Sequence, residues 1–362
     1  MTQKKLILFM PSIEGGGVEK NFFIISNFLA SKIDKIILIT AEKNLSKRLK
    51  NIKIIYPKSN FWRNSGRIRK YIICIFLLIK ILSQSRNFSV FSFQANLYAI
   101  LVCKLFNIKI ISRSNSSPSG WSKNFFKKKI YRIGLNLANI IIVNSIEFKN
   151  EMRKKFLVNT THIYNPLNQK QILDQSNEKV KNFFPKKSLK IISVGRLVDQ
   201  KNQITLLRAI KEIKDLYNIK LILIGRGADL QKIKKFIKNN KISKLVKIFY
   251  TSNPMPYIKQ ADLFILTSKF EGLPNVLLES IVLKKMVISS NCPTGPKEIL
   301  LNGKGGLLFK VEDYKDLSKK IVFYIKNKKK CQKMMNFSFN QLSRFDYKIN
   351  LKKYLNIVKR II

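Results

Sequence analysis

The sequence is short of acids. Its 362 residues carry 20 Asp and Glu against 70 Lys and Arg, a formal charge of +50. It has one histidine, His162, which argues against a His-based zinc site or a Ser–His–Asp triad. The four cysteines (Cys74, Cys103, Cys292, Cys331) are scattered, with no Cys-x-x-Cys pair. That pattern fits buried thiols in a reducing compartment, not a metal site or a disulfide framework. With 14 Gly and 10 Pro, a collagen-like architecture is excluded. Long apolar runs are also missing. The strongest, Tyr71 to Ile79, ends at Lys80, whereas a spanning helix needs about 20 residues. The apolar run after Met1, Leu6 to Met10, is too short for a signal peptide and lacks a small-residue cleavage pattern. The expectation is a soluble or peripheral protein.

What is present is enough to bury a large core. Hydrophobic residues make up 46% of the chain, which excludes intrinsic disorder, and the length suits two domains. The charge is unevenly spread. From Lys43 to Ile146 there is no Asp or Glu, while that stretch carries 20 Lys and Arg. Two segments within it, Asn60–Tyr71 and Trp121–Arg132, interleave bases with aromatics and hold both tryptophans. Such a mixture suits an anionic bilayer surface, where aromatics settle at headgroup level and bases meet acidic lipids. The same composition would also suit nucleic acid, or a solvated basic face whose aromatics point inward, but the membrane surface is the favoured reading.

Along the chain, short runs rich in Ile and Val alternate with amphipathic stretches of helical length. Strands are expected at Lys5–Met10, Ile36–Thr40, Phe88–Phe93, Ile108–Ser112 and Ile140–Asn144, with a helix over Val18–Ala30. A second set runs through Ile191–Val194, Leu221–Ile224, Val246–Phe249, Leu263–Thr267 and Val287–Ser290. From Asp313 onward the pattern is helical. Continuous apolar strands alternating with helices predict parallel sheets covered on both faces, here α/β with two doubly wound Rossmann-like domains facing a central cleft. The Asn-Pro turn within Ile163–Asn168 marks the boundary, giving domains at 1–165 and 166–340, with 341–362 as a C-terminal helix returning to the first. Ligands of such folds bind at the carboxyl ends of the strands.

Four turns after strand ends stand out. Glu14-Gly-Gly-Gly-Val-Glu19 follows the first strand; its glycines permit close backbone approach, and the next helix offers free N–H groups to an anion. Lys20 departs from a Gly-x-Gly-x-x-Gly fingerprint. Arg196 and Lys201, in Gly195-Arg-Leu-Val-Asp-Gln-Lys-Asn202, suit a diphosphate, one as a fork and one as a point charge. Glu271-Gly-Leu-Pro-Asn-Val-Leu-Leu-Glu279 follows Leu263–Thr267, with Pro274 as the first residue of a helix. A carboxylate on that helix can accept both hydroxyls of a ribose while the helix start faces a phosphate. Asn291-Cys-Pro-Thr-Gly-Pro-Lys-Glu298-Ile-Leu300 is the fourth.

In order and content these segments resemble the retaining glycosyltransferases of family 4, which have the GT-B fold, over nearly the whole chain. The loop Asn291–Leu300 is similar to the Cys-Pro-Ser/Thr-Gly-Pro segment of transferases acting on bacterial lipid-linked oligosaccharide and lipopolysaccharide. The resemblance implies a hexosyltransferase with a nucleotide-sugar donor, UDP being the family's commonest base carrier, and neither metal nor cofactor. It implies that Arg196 and Lys201 hold the donor diphosphate, Glu279 the ribose, and Glu271 the transferred sugar. It further implies that backbone at Gly272, Leu273, Pro274, Asn275 and Val276 touches that sugar and that Gly15, Gly16 and Gly17 line the cleft. The family's first-domain histidine is absent here; the corresponding Ser112-Arg-Ser-Asn-Ser116 would reassign its role to Arg113 or Asn115. His162, at the domain boundary, reads as structural. The expected partners are a nucleotide sugar, a lipid-linked saccharide acceptor and an anionic membrane, with the protein peripheral on the cytoplasmic face of a bacterial plasma membrane.

Two other readings share some of these features. A nucleotide-sugar 2-epimerase uses the same fold, but needs acids and histidines for proton transfer that this chain lacks. A nucleic-acid binder would use the bases, yet leaves Glu271 and Glu279 unexplained, so nucleic acid is not the expected partner.

Overall fold

The computed structural model describes residues 5–45, 48–115, 125–185 and 187–362. The chain forms two compact units, residues 1–166 with 347–362, and residues 167–346. The described residues of the first hold seven parallel strands, β1 (Lys5–Phe9), β2 (Ile36–Ile39), β3 (Lys53–Ile55), β4 (Phe88–Ser92), β5 (Ile110–Arg113), β6 (Ile140–Val143) and β7 (Thr161–His162). Their order is β3-β2-β1-β4-β5-β6-β7. Leu6 stands beside Ile36 on one side and Ser89 on the other, so the chain leaves β1 in one direction and returns at β4 in the other.

Strands buried on both faces must be apolar throughout, which is why they read as unbroken Ile/Leu/Val runs. Leu6, Leu8, Leu38, Phe91 and Ile111 face a core closed by the helices Gly17–Ala30 and Tyr347–Lys359. Ile7, Phe9, Val90, Ile110 and Ile141 face the opposite core, closed by Arg67–Gln84, Asn96–Leu105, Phe125–Asn136 and Ile146–Phe156. The C-terminal helix is held by Leu351, Tyr354 and Val358, and by Ser89 Oγ donating to the Ile361 carbonyl at 2.5 Å.

The second unit holds six parallel strands, β8 (Leu189–Val194), β9 (Ile219–Ile224), β10 (Val246–Phe249), β11 (Leu263–Leu266), β12 (Met286–Ser290) and β13 (Leu307–Phe309), in the order β10-β9-β8-β11-β12-β13. Here the order reverses between β8 and β11. The helices Gln203–Ile213 and Tyr314–Lys326 cover one face through Leu206, Ile210, Leu317 and Ile321. Local chemistry sets the helix starts: Asn168, Ser145 and Asp313 each accept a backbone N–H of their own first turn, at 3.1, 3.1 and 2.9 Å.

Strands β3, β7 and β13 escape the sequence pattern. They are two or three residues long, and each sits at a sheet edge, too brief for any apolar period to register. Pro274 is not the first helical residue but the cap of a helix that spans Asn275–Val282.

Candidate active site

The turns singled out in the second unit leave the sheet where the strand order reverses, the position at which open α/β sheets bind ligands. Arg196 and Lys201 follow β8, and Glu271 to Val276 follow its neighbour β11. The two turns are laced together. Gln200 donates to the Phe270 carbonyl at 2.9 Å, the Lys269 amide to the Gln200 carbonyl at 2.8 Å, and Thr267 Oγ1 to the Lys201 carbonyl at 2.9 Å.

Lys201 and Glu271 meet directly. The ammonium donates to Glu271 Oε1 at 2.5 Å, and Ser268 Oγ donates to the same oxygen at 2.6 Å. Both side chains are largely covered, at 16% and 9% exposure. The end of β12 and the Asn291–Leu300 loop seal the arrangement: Ser290 Oγ donates to the Ser268 carbonyl and Thr294 Oγ1 to the Glu271 carbonyl, both at 2.6 Å. Gly295 is required there. Its φ is +89°, and a Cβ would lie 2.3 Å from the Gly272 carbonyl oxygen.

Arg196 is different: its side chain is exposed, and its only described contact is a long hydrogen bond to Gln200, 3.4 Å. Such a guanidinium is available to an incoming anion. Gly272, Leu273 and Pro274 are buried beneath the loop, Asn275 and Val276 are half-buried at the helix start, and Glu279 lies within that helix at 6% exposure. Among the described residues no group of three His, Cys, Asp or Glu side chains is placed to hold a metal ion.

In the first unit, Gly15 and Gly16 in the turn after β1 and Gly17 at the start of the following helix are exposed, again where the strand order reverses. The turn is braced on both sides. The Ser12 amide donates to Gln94 Oε1 at 3.0 Å, and the guanidinium of Arg67 forks onto Glu14, with Nε 3.0 Å from Oε1. The Glu14 carboxylate raises the Arg67 pKa above its ordinary value.

Arg113, one of the two residues to which the resemblance would reassign the absent histidine's role, closes β5 and is turned away from solvent. It is the largest fully buried side chain among the described residues, with 0% exposure. Nε donates to the Tyr354 hydroxyl at 2.9 Å and Nη2 to Asn165 Oδ1 at 2.7 Å, so the guanidinium is turned inward against the C-terminal helix. Asn115 is half-buried and donates to the Phe93 and Arg113 carbonyls, at 3.2 and 3.3 Å. His162 lies in β7, with its ring edge-on to Tyr164 at 4.3 Å.

Several contributors are not singled out by the sequence: Gln200, Ser268 and Thr294, which position the others, and the Gly225–Gly227 turn after β9. That turn presses on the β8 turn so closely that a Cβ on Gly225 would lie 1.9 Å from the Gly195 carbonyl oxygen. Two glycines flanking Arg226 beyond an apolar strand were the available signal.

Residues 174–341 match the family described as Glycosyl transferases group 1. The uncharacterized glycosyltransferase MJ1059 of Methanocaldococcus jannaschii is 34% identical over 218 residues, 56% of this chain, which spans about half (53%) of that relative's length. An N-acetylgalactosamine-N,N'-diacetylbacillosaminyl-diphospho-undecaprenol 4-alpha-N-acetylgalactosaminyltransferase of Campylobacter jejuni is 25% identical over 326 residues, 86% of this chain and 87% of that one. Among solved structures, Anabaena HepE in complex with UDP superposes with a TM-score of 0.76 over 98% of this chain and all of that one, at 15% identity. A likeness at that identity speaks for the fold alone, two Rossmann-like parallel-sheet units of the GT-B type. Sequence match and fold point the same way: residues 174–341 are similar to the group 1 glycosyl transferases, in a chain with the two-unit parallel-sheet fold of its structural neighbours.

Proposed function

We propose that the protein is a retaining glycosyltransferase that moves a hexose or N-acetylhexosamine from a nucleotide sugar, a UDP-sugar in the first instance, to a lipid-linked saccharide in bacterial surface polysaccharide, lipopolysaccharide or glycan biosynthesis. The observation that carries this reading is the juxtaposition at the β8/β11 strand ends of an exposed guanidinium, Arg196, with the Lys201–Glu271 pair and the start of the Asn275–Val282 helix. The acceptor class rests on the Campylobacter relative, whose name specifies an undecaprenol-linked sugar.

In this reading the donor diphosphate lies against Arg196 and Lys201, the ribose hydroxyls donate to Glu279, and the transferred sugar bonds Glu271 and the backbone of 272–276. As the sugar–phosphate bond breaks, its electron pair leaves with the diphosphate. Arg196, the Lys201 ammonium and the helix start stabilise that charge, so the reading calls for neither a metal nor a cofactor. The acceptor hydroxyl forms the new bond from the face the diphosphate leaves and passes its proton to an oxygen of the departing diphosphate, so the anomeric configuration is retained. Gly15 to Gly17 offer exposed backbone within the first unit. Lys201 already has a carboxylate partner, which holds the ammonium in place before the donor arrives. A lipid-linked acceptor places the protein peripherally at the cytoplasmic face of a membrane; among the described residues no helix is long and apolar enough to cross one.

Calorimetric titration of UDP, GDP and ADP into the protein and its Glu279→Ala variant tests the donor site. Selective UDP binding that the variant loses supports the reading. Tight GDP or ADP binding changes the donor and keeps the reaction class. Absence of binding to all three overturns the proposal.

A further inference from the structure

Seventeen large hydrophobic side chains are exposed among the described residues, and ten of them lie between Phe61 and Ile133. They are not scattered. On the helix Arg67–Gln84 the buried row is Cys74, Leu78 and Leu82, and a second apolar row, Ile68, Ile72 and Phe76, is exposed. At 100° per residue the two rows are centred roughly 120° apart, on separate faces of the helix. Asn96–Leu105 repeats the arrangement: Ala99, Ile100 and Cys103 face the core, whereas Tyr98, Leu101 and Leu105 are exposed, Leu105 at 79%. Phe125–Asn136 carries Phe126, Ile130 and Ile133 outward, at i, i+4 and i+7. The middle helix packs against both others, and all three cover the same face of the first sheet. The outward rows therefore belong to one helical layer. A layer facing water carries polar residues outward, and single exposed hydrophobics need no explanation, but aligned rows on three adjacent helices do.

The surroundings of these rows decide the occupant. Exposed Arg69, Lys80, Lys104, Lys127, Lys129 and Arg132 lie on the same three helices, and no Asp or Glu occurs from Lys43 to Ile146. A second copy would bring cation against cation in a chain of charge +50. A bilayer of acidic lipids satisfies both features at once, since acyl chains take the apolar rows and headgroup phosphates the bases. We infer that the outer side of this layer is a lipid-insertion face, through which the first unit seats three helices, lying in the membrane plane, into an anionic bilayer. The middle helix, which the basic and aromatic segments of the sequence do not include, supplies the centre of that face. Within the Asn60–Tyr71 segment Phe61 is exposed and stacked by Arg69 at 5.5 Å, while Trp121 to Asn124 lie outside the described residues. The inference deepens the membrane setting proposed above but rests on the surface itself, not on the reaction.

Docking at this face also reaches the Gly-rich turn. Arg67, the first residue of the outermost of these helices, is forked onto Glu14, and Lys70 one turn on donates to Glu42 at 2.7 Å. The orientation that the bilayer imposes on this helix is thereby passed to the turn after β1.

The test is flotation of the full chain with vesicles of phosphatidylglycerol and phosphatidylcholine at physiological salt, about 150 mM. It compares the wild type, an Ile72→Gln/Leu101→Gln/Ile130→Gln variant and an Arg69→Gln/Lys104→Gln/Lys129→Gln variant. All six sites are on the surface, and unchanged thermal unfolding confirms intact variants. The expected result is co-flotation of the wild type with acidic but not pure phosphatidylcholine vesicles, weakened at least tenfold in each variant. A Leu101→Trp variant in a Trp62→Phe/Trp121→Phe background, where the indole at 101 is the sole one, should in addition lose fluorescence to bromine-labelled acyl chains. Binding that survives the apolar substitutions, or an indole signal from the Leu101→Trp variant that is indifferent to bromine, reduces the contact to charge adsorption and overturns insertion. Failure to float with any vesicle overturns docking, and points to an acidic protein partner if the apolar variant also changes co-purification. Nucleotide titration of the same variants separates these outcomes from failure of the transferase reading.

Discussion

Lys201 and Ser268 donate to one and the same oxygen of Glu271, at 2.5 and 2.6 Å, although Lys201 lies 70 positions before that carboxylate and leaves a different strand. This shared acceptor ties the β8 and β11 turns at the point where the strand order reverses. Removing the cation leaves a covered carboxylate with a single hydroxyl. Lys201→Met should therefore lower unfolding free energy by about 3 kcal/mol, the range for a broken buried pair. Glu271→Gln keeps an acceptor oxygen for both donors and should cost only about 1 kcal/mol. Urea unfolding of the two variants checks the order; equal losses below about 0.5 kcal/mol would sink the idea that this pair holds the turns.

Arg196 separates binding from stability. Among the described residues its exposed side chain holds only a 3.4 Å contact to Gln200, so Arg196→Ala should leave the urea midpoint within experimental scatter. If the guanidinium meets the leaving diphosphate, turnover should nevertheless fall about 10²–10³-fold, as for loss of one preorganised donor. Turnover within about threefold of wild type removes Arg196 from the assigned role.

The two sheets and most strand positions were legible because doubly buried strands must be apolar, and such runs are visible one strand at a time. The edge strands β3, β7 and β13 were not, since two or three residues carry no period. The turns of the candidate site were legible as places, because glycine and proline mark strand ends. Their pairing was not. That Lys201 bonds Glu271 depends on β8 and β11 being neighbours, and strand order is absent from any local pattern. The surroundings of Arg113 were hidden for the same reason: the resemblance offers it or Asn115 in place of an absent histidine, and only the return of the C-terminal helix shows that Tyr354 takes its guanidinium.

That contact is a device for fastening the helix Tyr347–Lys359. Arg113 is a buried cation without a carboxylate among its described hydrogen-bond partners, and its Nη1 has no partner among the described residues. The Tyr354 hydroxyl and Asn165 amide carry its solvation. Tyr354→Phe preserves the ring's packing and strips one acceptor from a charged donor, so it should cost about 1.5–3 kcal/mol. Arg113→Met, which removes the charge together with its desolvation, should cost less than Arg113→Ala, which leaves a cavity. Thermal unfolding of the three variants gives the ranking, and a silent Tyr354→Phe would show that the hydroxyl is not needed.

The thiols give a prediction in pH. Burial pushes Cys74, Cys103 and Cys292 from an ordinary value of 9.0 up to about 12, with Glu42 adding to the effect at Cys74 and Glu271 at Cys292. Between those values the unfolded chain has released thiol protons that the folded chain retains, so unfolding gains as protons leave. This contribution is fully present below pH 9 and is lost progressively from about pH 9 to about 12. Lysine titration acts in the opposite sense over part of the same range, because neutralising a chain of +50 relieves self-repulsion. The comparison must therefore be internal. Urea unfolding of the wild type and of Cys74→Ala/Cys103→Ala at pH 8, 9 and 10 should give a difference that narrows as pH rises, the wild type losing its advantage faster. In the folded wild type the same thiols should resist a disulfide reagent at pH 8 and react once urea opens the cores. Parallel pH curves, or prompt labelling of the folded chain, would place these cysteines nearer to solvent than their burial allows.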